Sequence, residues 1–531
     1  MKRTLLLVIT FLISLSAFAQ DFPFGQVTGA DLEMKKYDKD TSAHAVYLNE
    51  YGSSRIGLSS DYDTQLIFDY HAKIKFFDNK EFEREGTIEI PIYNGDDMVY
   101  EQVDEIKGVT YYKDDNGNMQ QAELNSKKVF RVKDNKHWST MKFAMPALRN
   151  GCIIEISFKV ISPYLHNFHS WNFQDAIPKV NSEYEVHIPA IYSYNAALKG
   201  FLKLTKNTSR VEPKCFTFGT ASADCSDIVY GISNVPAFIE EDYMTSEKNY
   251  RSSVNFELEE YTNFNTGAKT RVTKDWKDID YLLKTESWFG GQLKRKSLMK
   301  EKIAPVISGK TDELEKAKAI YDYIKKAIKW NEQNDFSSDD GLARALDNHT
   351  GNSGDINLAL VTALNAAGIT TDAVLLSTRA HGSLNKLYPN LGDFNYVIAK
   401  ANIGDKSYLL DATEPLLPFG MLPLRCLNDQ GRVFSLDKPS YWIDVATQQH
   451  ENVTYALDLT LQDDGKMKGS IIRYSSGYSG YLRREEIKKF NSVDEYVENL
   501  GEKLQKIKIL KSEIVNLDSL DKPVGETYQV E

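Results

Sequence analysis

Cysteine is scarce, with four residues in 531, too few to impose a disulfide framework. Cys215 and Cys225 flank Gly219-Thr220-Ala221-Ser222 and are placed to close a hairpin. Cys152, in the strand-like run Cys152-Ile153-Ile154-Glu155-Ile156, and Cys426, after a proline-rich loop, read as buried free thiols. None stands at a predicted helix N-terminus, where a thiol would be activated. Positive charge is not in excess either: 75 Asp and Glu outnumber 64 Lys and Arg, which excludes the basic face a nucleic-acid partner requires. There is no phosphate-cradling glycine loop and no internal repeat. The close histidine pair in His166-Asn167-Phe168-His169 has no carboxylate or cysteine at ligand spacing, so neither a metal nor a cofactor is expected. After the first twenty residues no apolar run is long enough to span a bilayer.

Those first twenty residues carry a signal of their own. Lys2 and Arg3 precede an apolar stretch from Leu5 to Leu15, and Ala17-Phe18-Ala19 supplies small residues at a cleavage site, the pattern of a secretory signal peptide with the mature chain starting at Gln20. No cysteine follows that site, so a lipid anchor is not expected; a soluble product exported to the periplasm or the cell surface is. The length is too great for one core. Thirty Tyr and 25 Phe in alternating patterns point to much β-structure.

From residue 21 to about 290 the period is mostly two: Leu66 to Lys75 and Thr87-Ile88-Glu89-Ile90 alternate, and turn clusters such as Asp114-Asp115-Asn116-Gly117-Asn118 punctuate them. The period then turns helical. After the capping residues Thr311-Asp312-Glu313, the side chains of Leu314, Ala317, Ile320, Tyr321, Ile324 and Ile328 share one face, with Lys316, Lys318, Lys325, Lys326 and Lys329 largely opposite as a solvated face. A second helix is predicted from about Asp355 to Ala367, with Ile356, Ala359, Leu360, Ala363 and Leu364 inward and Gly368 as its stop. Thr371 to Thr378, Phe394 to Ile398 and Leu409 to Thr413 read as strands. Beyond residue 450, Tyr455 to Leu461 and Gly469 to Ile472 form a hairpin about Asp463-Asp464-Gly465, followed by a helix near 493 to 507 and a strand at Tyr528 to Glu531.

The order helix N-terminus, strand, strand, seen in Gly351-Asn352-Ser353-Gly354-Asp355, Phe394-Asn395-Tyr396-Val397-Ile398 and Leu409-Leu410-Asp411-Ala412-Thr413, resembles the core of the transglutaminase-like superfamily. In that family a Cys opens the helix, a His lies in the first strand and an Asp in the second. Here those positions are Ser353, Tyr396 and Asp411. The preceding half, through Lys142-Phe143-Ala144-Met145-Pro146, Ile161-Ser162-Pro163 and Trp171 to Pro178, is similar to an uncharacterised β-domain that precedes such domains in exported proteins of Gram-negative bacteria. The resemblance implies a multidomain α+β protein. Its expected parts are a signal peptide over 1–19, an antiparallel β-sandwich region over 20–290, a central transglutaminase-like (papain-like) α+β domain over 291–445, and a C-terminal β-rich segment over 446–531 that continues in relatives through further strands.

In the family the helix N-terminus lowers the thiol pKa and its free N–H groups hold the oxyanion, while His takes the proton and Asp orients the ring. Serine is far harder to ionise, and Tyr396, with an ordinary pKa near 10, is no base at neutral pH. The reading is therefore a pseudoenzyme with no catalytic residue, whose cleft binds a peptide, a glycan or an envelope protein. Arg379, Tyr396, Asn395 and Trp330 are the ligand-binding candidates. Trp330 is included because an aromatic near this junction lines the cleft of active relatives, and Arg379 because it ends a strand, free to clamp a carboxylate or to pair with Asp393 or Glu414. A purely structural reading makes Ser353 and Asp355 helix caps and lets Tyr396 fill the imidazole space. The alternative is a peptidase, amidase or acyl transferase working on envelope peptides through Ser353, with His349 or His381 swung in as base.

Overall fold

The computed structural model describes residues 22–531 apart from 61–62, 96–99, 167, 243, 264–265, 273–274, 387–388, 448 and 505. The signal segment read from the sequence lies outside the described residues. The protein is strand-rich, 41% strand against 22% helix, and divides into two units. The first takes the chain to Met244 together with Asn249–Thr273, and the second holds Thr245–Lys248 and Lys274–Glu531.

The first unit is built on an eight-stranded sheet. It is antiparallel except where Ala45–Leu58 and Lys179–Pro189 pair in parallel, a departure from the wholly antiparallel expectation. Parallel neighbours need a long connection, and the intervening chain supplies it with a three-stranded sheet, Thr87–Tyr93, Trp138–Ala144 and Phe130–Lys133. A further sheet pairs Tyr192–Lys199 with Ser253–Thr262. Ile90 and Phe143 from one small sheet and Val254 and Phe256 from the other join Phe68, Ile154, Val186 and Ile232 of the large sheet in a single apolar core. Trp171 sits in it, stacked on Tyr184 with centroids 5.1 Å apart and its indole N–H donated to Ser182 Oγ at 3.0 Å. Gly52 makes room for that ring, since a Cβ there would lie 2.2 Å from Trp171.

His169 stacks on Phe68 at 4.2 Å with its Nε2 unpartnered. Burial holds its pKa down at about 4, against an ordinary 6.5. The unfolded chain therefore takes up a proton below pH 6.5 that the folded chain refuses until about pH 4. Stability from this group is full above pH 6.5 and is lost as the pH falls towards 4. Thermal melts through that window are expected to drop more steeply for the wild type than for His169→Phe, which keeps the stacking and removes the titration.

The second unit opens with helices α1 (Trp276–Thr285), α2 (Lys296–Ile307), α3 (Glu313–Ala327), α4 (Leu342–Asn348) and α5 (Ser353–Ala366). Strands β1 (Thr371–Leu376), β2 (Tyr396–Ile403), β3 (Lys406–Leu410), β4 (Gln430–Phe434) and β5 (Tyr441–Asp444) form an antiparallel sheet in the order β3-β2-β1-β4-β5. Helix α5 is not amphipathic in place: every residue from Ser353 to Leu364 is buried, because α2 and α3 cover it on one side and β1 and β2 on the other. In α3, Ala317, Ile320, Tyr321 and Ile324 face the core. Lys325 departs from the solvated face predicted for it, with its side chain 6% exposed and its Nζ donating to the carbonyls of Pro415 and Leu417. A four-stranded sheet of Glu451–Leu461, Met467–Ser476, Val524–Val530 and Ile509–Val515 follows, with helices Gly477–Lys488 and Val493–Lys503 between its second strand and the last two. Among the described residues no helix is long and apolar enough to cross a membrane.

Candidate functional site

The N-cap of α5 is Asn352 rather than Ser353, and Asp355 caps the same helix end in return. The Asn352 side chain accepts from Asp355 N at 2.8 Å while the Asp355 carboxylate accepts from Asn352 N at 3.1 Å, a reciprocal capping box that leaves Ser353 as the first helical residue. A loop over residues 333–338 lies across this helix end. Ser353 N–H donates to Gln333 O at 3.1 Å, Ser353 Oγ donates to Asp335 O at 2.7 Å, and the same oxygen accepts from Asp335 N at 2.8 Å. Asn352 Nδ2 donates to Ser337 O, and Ser338 Oγ donates to Asp355. Gly354 is what permits the approach, because a Cβ there would stand 2.0 Å from Ser337 O. Ser353 thus spends its amide and its hydroxyl on the loop backbone rather than receiving helix N–H groups.

Tyr396 opens β2 and is wholly buried. Its phenol donates to Asp411 Oδ2 at 2.7 Å and lies 3.1 Å from Thr413 Oγ1. Burial first, and the adjacent Asp411 carboxylate second, hold that phenol well above its ordinary pKa of 10, so it remains a donor. Asp411 follows the last residue of β3. Its other oxygen accepts from Asn357 Nδ2 at 3.2 Å, from Thr413 N at 2.8 Å and from Thr413 Oγ1 at 2.7 Å. Asn357, one turn along α5 from Ser353, also donates to Val397 O and accepts from Ala412 N, so the helix is pinned to β2 and to the segment after β3 through one amide.

Arg425, which the sequence reading missed, closes the cluster. Its guanidinium donates to Glu414 Oε1 at 2.5 Å, Thr413 Oγ1 at 2.6 Å and Tyr396 Oη at 3.1 Å. It lies 4.2 Å from the centre of the Trp330 ring and 5.5 Å from that of Tyr396. Trp330 turns its indole N–H away to Gln333 O at 2.9 Å. Glu414 is therefore the partner of Arg425, whereas Arg379 is half-buried and its amide donates to Arg425 O at 2.8 Å. Asn395 braces the neighbouring loop, accepting from Thr378 N and donating to Thr378 Oγ1. Cys426 Sγ reaches Asp411 Oδ2 at 3.6 Å, and burial followed by that carboxylate raises its thiol well above the ordinary 9. That is the reverse of activation.

The two histidines considered as bases are engaged elsewhere. His349, exposed and in left-handed backbone at φ 55°, points Nδ1 to Ala327 O at 3.0 Å. His381 Nδ1 sits 3.0 Å from Ser377 Oγ, and burial, then Lys248, lowers its pKa. Among the described residues the Ser353 hydroxyl therefore has two backbone partners and no imidazole partner.

Helix α5 thus packs on an antiparallel sheet, with Tyr396 at the start of β2 and Asp411 just after β3. Residues 300–398 match the family model of the transglutaminase-like superfamily, so the second unit carries a transglutaminase-like domain. A solved structure from Parabacteroides distasonis, named "putative protease", shares 12% identity over 92% of this chain and 93% of its own at a TM-score of 0.50. That likeness concerns the fold alone. One from Cytophaga hutchinsonii, named "putative cysteine protease", overlaps 52% of this chain and 83% of its own at 13% identity, with a TM-score of 0.19 that carries no structural argument. No curated protein matches the chain.

Proposed function

We propose that the protein is an exported, non-enzymatic member of the transglutaminase-like group, and that the surface at Trp330 and Arg425, beside the buried Tyr396, binds a peptide from the cell envelope. The observation that carries this reading is the state of Ser353. A nucleophile needs its hydroxyl proton on a base and nearby N–H groups free for the oxyanion. Here the hydroxyl donates to Asp335 O and the amide to Gln333 O, and Tyr396 stands beside Asp411 where a proton acceptor would be required. What remains is the Arg425 guanidinium, paired with Glu414 and lying against the Trp330 ring, a planar cation on an aromatic face that suits recognition of a peptide.

The intact protein is expected to show no Ser353 adduct by peptide mass mapping after treatment with an acyl phosphonate, matching Ser353→Ala. Labelling of Ser353 in the folded wild type would overturn the assignment. Binding is tested separately with envelope-derived peptides ending in a free carboxylate: Arg425→Lys, which keeps the charge and loses the fork, is expected to weaken calorimetric affinity about tenfold. That loss corresponds to one charge-assisted hydrogen bond. Equal affinity in wild type and Arg425→Lys would place any binding away from this surface.

A further inference from the structure

Three neighbouring strands of the first unit's large sheet bring His187, Cys215 and Cys225 together, with Glu212 beside His187. Cys225 lies on Ala221–Val235, opposite Pro189 on one side and Glu212 on the other. His187, two residues before Pro189, shares that face. Simple alternation along Lys206–Phe218 would send Cys215 to the other face from Glu212. The register breaks between Glu212 and Phe216, and Lys214 takes left-handed backbone at φ 54°. A bulge of this kind re-aims a side chain, and it turns Cys215 towards Cys225, to which it is disulfide-bonded with Cα atoms 5.8 Å apart. A hairpin staple needs only those two residues. Yet the ligand atoms of His187, Cys215 and Cys225 all lie within 4.8 Å of one another, and His187 Nε2 is 2.9 Å from Glu212 Oε2.

We propose that the Cys215–Cys225 pair, once reduced, forms a zinc site with His187 and Glu212. The oxidised disulfide offers no thiolate, so the site is switched by redox state. An external dithiol supplies two electrons and two protons: the Sγ–Sγ bond breaks, each sulfur becomes a thiol, and the dithiol closes to its own disulfide. Zn²⁺ then displaces both thiol protons and takes neutral His187 and the Glu212 carboxylate as its third and fourth donors. With Zn–S bonds of about 2.3 Å, a tetrahedral site sets the sulfurs roughly 3.8 Å apart, a separation reached by rotating the two side chains with the strands held in place.

The test uses the full chain, oxidised or reduced with a dithiol that is then removed anaerobically. Reduced wild type is expected to retain one equivalent of zinc through gel filtration and, with cobalt, to develop a thiolate-to-metal charge-transfer band; the oxidised protein should do neither. Cys225→Ser should abolish the band. His187→Ala, a half-exposed position that leaves the disulfide intact, should weaken zinc binding at least tenfold. The proposal is overturned if folded, reduced protein takes up no zinc, if His187→Ala and Cys225→Ser bind as the wild type does, or if reduction causes unfolding that zinc does not reverse.

Discussion

Arg425→Ala is expected to lower the stability of the second unit by about 3–5 kcal/mol, the usual cost of removing one member of a largely buried ion pair. Arg425 and Glu414 have side chains 23% and 15% exposed, so solvent cannot fully replace the lost partner. The same substitution strips donors from Thr413 and Tyr396 and removes the cation from the Trp330 face. Urea denaturation followed by circular dichroism would measure it. Glu414→Gln retains a neutral acceptor and should cost appreciably less. The control is the double change Arg425→Met with Glu414→Leu, which removes both charges and should recover much of the loss. An Arg425→Ala protein as stable as wild type would mean that the guanidinium contributes nothing to the fold.

How visible was this site in the chain? The helix beginning at Ser353 and the strands bearing Tyr396 and leading to Asp411 show up as changes of hydrophobic period, because their apolar faces are buried against one another. Arg425 was invisible for the opposite reason. It lies in a short 3₁₀ turn, Leu424–Cys426, after Pro415, Pro418 and Pro423, where no periodicity exists and position depends on tertiary contacts. The loop over Ser353 was equally hidden: Asp335, Ser337 and Ser338 carry no hydrophobic period, and their close backbone approach depends on the missing Cβ of Gly354, which no local pattern announces. Helix Gly477–Lys488 escaped notice because it begins Gly-Tyr-Ser-Gly-Tyr, poor helix formers by propensity. Its stability comes from buried contacts: Arg483 forks onto Glu526, and Arg484 donates to the carbonyls of Asn516, Ser519 and Lys522.

Asp411→Ala should be as costly as the loss of Arg425, about 3–5 kcal/mol, and for a complementary reason. Asp411 is fully buried, yet its carboxylate accepts from Tyr396, Asn357, Thr413 N and Thr413 Oγ1, with Cys426 Sγ at 3.6 Å. Removing it strands several donors where water has no ready access, and each unsatisfied buried group costs about 1–3 kcal/mol before relaxation. Tyr396→Phe deletes one of those donors and leaves the carboxylate its remaining partners, so a loss of about 1–2 kcal/mol is expected. The contrast separates two views of the cleft. In a hydrolase the work of a carboxylate at this place is to orient an imidazole, and its loss shows in rate. In this protein Asp411 joins α5, through Asn357, to the Tyr396 strand and the Thr413–Arg425 side of the cleft. Denaturation midpoints that order the variants Asp411→Ala, Tyr396→Phe and wild type from least to most stable would show Asp411 serving as a fastener; an Asp411→Ala protein no less stable than Tyr396→Phe would refute that role.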